Sequence, residues 1–121
     1  MGSVIVVEDD DDIRMLIVRR LERAGHEVRA AVDGIDGLAL IRERMPDLVV
    51  LDWMMPRLDG LGVAEQLLAD GGERPRILML TARNQQSDID RALAVGVDDF
   101  LVKPFLGPDL LAAVDKLVVA E

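Results

Sequence analysis

The chain has 121 residues, half of them hydrophobic, with 23 acidic against 14 basic side chains and a formal net charge of −9. One domain with a full core is expected, and the acidic balance argues against direct binding to nucleic acid or an anionic membrane. The absence of cysteine excludes disulfides, thiolate metal sites and cysteine nucleophiles. No apolar run approaches the ~20 residues of a membrane span and the N-terminus has no signal-peptide layout, so a cytosolic protein is expected.

In chain order, apolar runs of strand length alternate with stretches of helical period. Val4–Val7 opens the series as a strand, and Ile13, Leu16, Ile17, Leu21 and Ala24 then form a helical stripe that Gly25 stops. The second strand, Val28–Ala31, carries Arg29 and reads as an edge strand. Leu38 and Ile41 mark the second helix, with Pro46 just beyond it. Leu48–Leu51 is the third strand, and Leu61, Ala64, Leu67 and Leu68 mark a helix closed by Gly71-Gly72. Ile77–Leu80 precedes a fourth helix of Ile89, Ala92 and Leu93, closed by Gly96. Phe100–Val102 is the last strand, followed by a helix opened by Pro108-Asp109 and bearing Leu110, Leu111, Val114, Leu117 and Val118. Strict alternation implies an α/β fold with a parallel sheet covered on both faces, and right-handed crossovers restrict it to a doubly wound sheet. The continuous apolar character of the first, third and fourth strands marks them as central.

In such a fold the ligand site lies beyond the carboxyl ends of the strands. The first strand ends in Glu8, Asp9, Asp10, Asp11 and Asp12, the third in Asp52, the fourth in Thr81 and the fifth in Lys103 before Pro104. Helix capping and the helix dipole account for Asp10 to Asp12. They do not account for Glu8 and Asp9, which abut the strand. Several carboxylates at one point repel one another unless a cation is present, and Mg²⁺ or Mn²⁺ takes such oxygens. Thr81 alone reads as a capping hydroxyl and Lys103 alone as a solvated cation. The lone His26 reads as a surface residue without relay partners, and Met54, Met55 and Met79 as core or rim packing.

The segments VVEDD (6–10), LDWMMPRLDG (51–60), LTAR (80–83), GVDDF (96–100) and VKPF (102–105) occur in order over nearly the whole chain. With them the sequence resembles the receiver domain of two-component response regulators, spanning 1–121. The resemblance implies a flavodoxin-like fold with strand order 2-1-3-4-5 and five helices. It implies that Asp52 accepts a phosphoryl group from the phosphohistidine of a sensor kinase or phosphotransfer protein. Glu8, Asp9, Asp52 and the backbone carbonyl of Met54 would hold Mg²⁺. Thr81 and Lys103 would contact the phosphoryl group, Phe100 would act as the aromatic switch, and the Lys103–Pro104 bond would be cis. The face of helix 4, strand 5 and helix 5 would change and act on an output domain or target protein. Such a domain is a signalling switch, not an enzyme with a separate substrate.

Several positions vary within the resemblance. Glu8 stands where aspartate is also frequent, and Phe100 where tyrosine is frequent, which removes a phenol from the partner face. Met54 and Arg83 flank the phosphoryl position and bear on its lifetime. The last helix, DLLAAVDKLVVAE, has one lysine and no arginine, so it is poorly furnished for the salt-bridged dimer that many phosphorylated receivers form. No effector follows the fifth helix in this sequence, and a receiver belonging to a longer protein is expected over a stand-alone one. A haloacid-dehalogenase-type phosphatase would need an aspartate where Met54 stands. A nucleotide or flavin domain would need glycines where the acids follow the first strand. A pseudo-receiver would lack Asp52, Asp9 or Lys103.

Overall fold

In a computed structural model, which describes residues 2–82 and 85–119, five strands and five helices alternate along the chain. The strands are β1 (Ser3–Val7), β2 (Glu27–Ala31), β3 (Leu48–Asp52), β4 (Arg76–Thr81) and β5 (Asp99–Val102). The helices are α1 (Asp11–Arg23), α2 (Gly34–Glu43), α3 (Gly60–Asp70), α4 (Gln86–Ala94) and α5 (Gly107–Val119). All pairings are parallel, in the order β2-β1-β3-β4-β5. This is the doubly wound, flavodoxin-like sheet expected, and order reverses between β1 and β3.

The core follows from the two-residue period of the strands. Ile5, Val7, Val49, Leu51, Ile77 and Met79 face one layer with residues of α2, α3 and α4. Val4, Val6, Val50, Leu48, Leu78 and Leu80 face the other, with Ile17 and Leu21 of α1 and Leu110, Val114 and Leu117 of α5. The edge strand β2 is only partly covered, and Arg29 on it is spent on backbone. Its Nη1 donates to the Leu40 carbonyl at 3.1 Å and its Nη2 to the Arg44 carbonyl at 2.6 Å, which caps the last turn of α2.

Local chemistry sets the helix ends. Asp10, Asp33 and Asp59 are the N-caps of α1, α2 and α3, accepting from the Ile13, Asp36 and Gly62 amides at 2.9, 2.8 and 2.8 Å. Asp11 and Asp12 lie in the first turn of α1, where the dipole favours them. Gly25 takes φ 95° and lets the chain leave α1. The helical stripes are narrower than the periodicity predicts. Leu16, Leu68 and Leu93 are exposed, as is Ala24 at the C-cap of α1. A helix lying on one sheet face buries one line of residues, here Ile17 with Leu21, and turns its flanks to solvent or to the rim.

Candidate functional site

The carboxyl ends of β1, β3, β4 and β5 bring Glu8, Asp9, Asp52, Met54, Thr81 and Lys103 together around an open cavity of about 320 Å³. Glu8, Asp9 and Asp52 each present a carboxylate oxygen, and these lie within 4.8 Å of one another. Glu8 and Asp52 are 0% and 4% exposed, whereas Asp9 reaches solvent. Lys103 Nζ stands between the buried pair, donating to Glu8 Oε1 and Asp52 Oδ1 at 3.0 Å each. Thr81 is buried at the end of β4, and its carbonyl accepts from the Lys103 amide at 2.9 Å. The Lys103–Pro104 bond is cis.

Electrostatics set this rim apart. Burial, together with the hydrogen bond and repulsion from Glu8, pushes the Asp52 carboxyl up to about 8 against the pull of Lys103. Burial pulls the Lys103 ammonium down, but its bonds to Glu8 and Asp52 prevail and leave it raised. Carboxylates forced together in this way, with one reaching solvent, are a donor set for a hard divalent cation. The chemistry of the set therefore fits Mg²⁺ or Mn²⁺ at Glu8, Asp9 and Asp52. Met54 lies exposed on the cavity wall, and its thioether offers no strong polar side-chain group there.

Phe100 is not part of the cavity. It is half-buried on β5 and packs against the α2–α3–α4 layer, beside Met79 in register. Pro104 adjoins the rim in an apolar groove with Ile13, Leu16 and Phe105. Arg83 lies outside the described residues.

Other residues have roles that the sequence did not announce. Arg14 of α1 donates to the Glu8 carbonyl at 2.9 Å and pairs with Asp11, so a cation of the first helix braces the acidic turn. Asp33 is buried beneath Arg57 of the loop that follows Asp52. His26 corrects the expectation of a surface residue: it is buried at the opposite end of the sheet. Its Nδ1 accepts from the Gly2 amide at 3.0 Å, and its Nε2 lies 3.4 Å from Asp115 Oδ1. These partners come from the N-terminus and α5, distant in sequence. Met79 is core, Met55 is half-buried against it and Met54 is at the rim.

Comparison with known proteins gives one family. A family model for the response regulator receiver domain matches residues 4–115. "Response regulator MprA" of Mycobacterium sp. (strain KMS) is 46% identical over 115 residues, covering 95% of this chain and 50% of that protein. "Phosphate regulon transcriptional regulatory protein PhoB" of Rhizobium meliloti is 40% identical over 119 residues, covering 98% and 52%. The chain thus spans about half the length of these curated relatives. Among solved structures, the receiver domain of a Francisella response regulator superimposes with a TM-score of 0.91 at 32% identity, covering 98% of this chain and 97% of that one. The Vibrio cholerae chemotaxis protein CheY4 gives 0.89 at 30% identity, covering 97% and 98%.

Proposed function

The chain belongs to the response regulator receiver domain family, and from that premise we propose that it takes a phosphoryl group on Asp52. Receiver domains of two-component response regulators are signalling switches that generally bind Mg²⁺ at an acidic pocket. The observation that carries the reading is the convergence of Glu8, Asp9 and Asp52 within 4.8 Å, with Lys103 Nζ 3.0 Å from Asp52.

In the proposed reaction an oxygen of Asp52 attacks phosphorus of a phosphohistidine on a sensor kinase or phosphotransfer protein. The new O–P bond forms as the N–P bond breaks, its electron pair stays with the imidazole, and that ring takes a proton from solvent. A carboxylate is a weak nucleophile toward a dianionic group, so catalysis rests on position and charge. Glu8, Asp9, Asp52 and the Met54 carbonyl would hold Mg²⁺, which supplies charge neutralisation at the phosphoryl oxygens when bound. Lys103 turns from its carboxylate partners to a phosphoryl oxygen, and the Thr81 hydroxyl donates to another. Movement of Thr81 leaves room for Phe100 to turn inward and alters the face of α4, β5 and α5. That face acts on an output domain or target protein. The domain spans the chain from 1 to 121, works in the cytoplasm, and catalyses only its own phosphorylation and dephosphorylation.

A receiver that keeps the fold without the chemistry is not supported, since Glu8, Asp9, Asp52, Thr81 and Lys103 line one cavity. Incubation with acetyl phosphate and Mg²⁺ tests the reading by intact mass spectrometry. One phosphoryl group is expected on the wild type and none on Asp52→Asn or in excess chelator. Modification of Asp52→Asn at the wild-type level would overturn the assignment.

A further inference from the structure

The loop between Asp52 and α3 is held more tightly than its surface position requires. Its base is closed by backbone: the Trp53 amide donates to the Leu80 carbonyl at 3.0 Å, and the Gly60 amide donates to the Trp53 carbonyl at 2.8 Å. Between them the Leu58 amide donates to the Pro56 carbonyl at 2.9 Å, across Arg57 at φ 69°. A three-residue turn with a positive φ at its centre is the rare, strained form of the γ-turn. Arg57 is the only positive-φ residue other than glycine among the described residues. A side chain in that region persists only where its surroundings hold it.

The surroundings are a carboxylate from a different loop. Arg57 Nε donates to Asp33 Oδ2 at 3.1 Å, its Nη2 donates to the same oxygen, and Asp36 Oδ1 lies 3.7 Å from Nη2. The Asp33 side chain is 11% exposed against 53% for Arg57, so the buried partner is the fixed one. Asp33 is also the N-cap of α2, and the amide of Asp36, ahead of Arg57 and against burial, holds its carboxyl below the ordinary range. It is therefore ionised when the guanidinium meets it. The two loops touch at a second point. A Cβ on Gly34 would overlap the Leu58 carbonyl, so only glycine admits this approach.

We propose that Asp33 and Arg57 form a clasp that sets the loop carrying Met54, and so are positioning residues for the metal site. The inference rests on the phosphoacceptor reading above. Met54 lies between the closed base of the loop and the clasped turn. Releasing the clasp lets Arg57 relax to negative φ and loosens the segment that carries Met54. Metal affinity then falls, as it does when a group supporting a ligand is removed.

The test combines two readouts on the same proteins. Amide hydrogen exchange by NMR, without metal, reports the loop directly. Mg²⁺ titration of Trp53 fluorescence reports the site, with Asp9→Ala as the control that must weaken the response. Asp33→Asn keeps an N-cap acceptor but removes the charge, and Arg57→Gln removes the cation. Both should speed exchange of the Leu58 and Gly60 amides and raise the Mg²⁺ Kd by about tenfold, the lower end of effects of this kind. The double variant should lose no more than either single one, and Arg57→Lys should recover part of the affinity. Unchanged loop exchange in Asp33→Asn would overturn the clasp, as would faster exchange with wild-type Mg²⁺ affinity. Absence of saturation in the wild type itself would overturn the metal reading, and the positioning role with it.

Discussion

Asp47 and Asp52 bracket β3, five positions apart and at opposite ends of one buried strand, and they are used in opposite ways. Asp47 is exposed and spent on backbone. Its Oδ2 accepts from the Ser3 amide at 2.9 Å, its own amide donates to the Ser3 carbonyl, and its carbonyl accepts from Arg76. Asp52 is buried, faces Glu8, and shares one lysine with it. A carboxylate that meets a backbone N–H stabilises the fold. One held against another carboxylate does not, and persists because of what it can bind. The same residue type thus serves structure at one end of the sheet and, in the function proposed, chemistry at the other.

The largest expected effect would break this contrast at Lys103. Lys103→Met should slow phosphoryl uptake from acetyl phosphate by roughly 10²–10³-fold, as removal of one charge-stabilising donor does in enzymes. Asp47→Ala should leave that rate near the wild-type value. Mass-spectrometric time courses check both, and equal rates for Lys103→Met and wild type would remove the lysine from the transfer step.

Stability should move in opposite directions at the two ends. Urea unfolding at pH 7 without metal should show Asp52→Asn more stable than wild type by about 1 kcal/mol or more, since the native state no longer has to hold a proton on a buried carboxyl that the unfolded chain releases. Asp47→Ala should be less stable by about 1 kcal/mol for the lost hydrogen bond. Losses in both variants would mean that Asp52 also supports the fold.

Asp52 should also show in the pH dependence of stability, as a direction. The Asp52 carboxyl rises from 3.8 in the unfolded chain to about 8 in the native one. Between those values the native state keeps a proton that the unfolded state has released, so this group lowers the stability of the metal-free protein as pH rises. The slope contributed stays below the ~1.4 kcal/mol per pH unit of a whole proton. Asp52→Asn should flatten the curve over pH 4–8. An unchanged slope in Asp52→Asn would refute the shift.

The sheet and the rim were legible in the sequence because each is encoded locally. Five apolar runs and five helical stripes fix the alternation, and topology then carries strand-end residues to one edge. Glu8, Asp9, Asp52, Thr81 and Lys103 are found by their place at strand ends. Residues whose meaning comes from distant partners were not legible. Asp33 gives no sign of its Arg57 partner, because two loops must first fold side by side. His26 looks solitary until the N-terminus and α5 close over it. Leu16, Leu68 and Leu93 fit the helical period yet stay outside, because period alone does not say how wide a face the sheet can cover.

The division of the interior by the sheet has its own consequence. Val49 and Val50 are joined by a peptide bond, yet one belongs to the layer of α2, α3 and α4 and the other to the layer of α1 and α5. A volume lost at one can be refilled only by residues of the same layer, because the backbone of the sheet stands between the two. Neighbours in the chain are thus independent in repacking, while Val50 and Val114, far apart in sequence, share one constraint on volume. Drift in such a protein would run along two separate ledgers of side-chain size, with the strands as the wall between them.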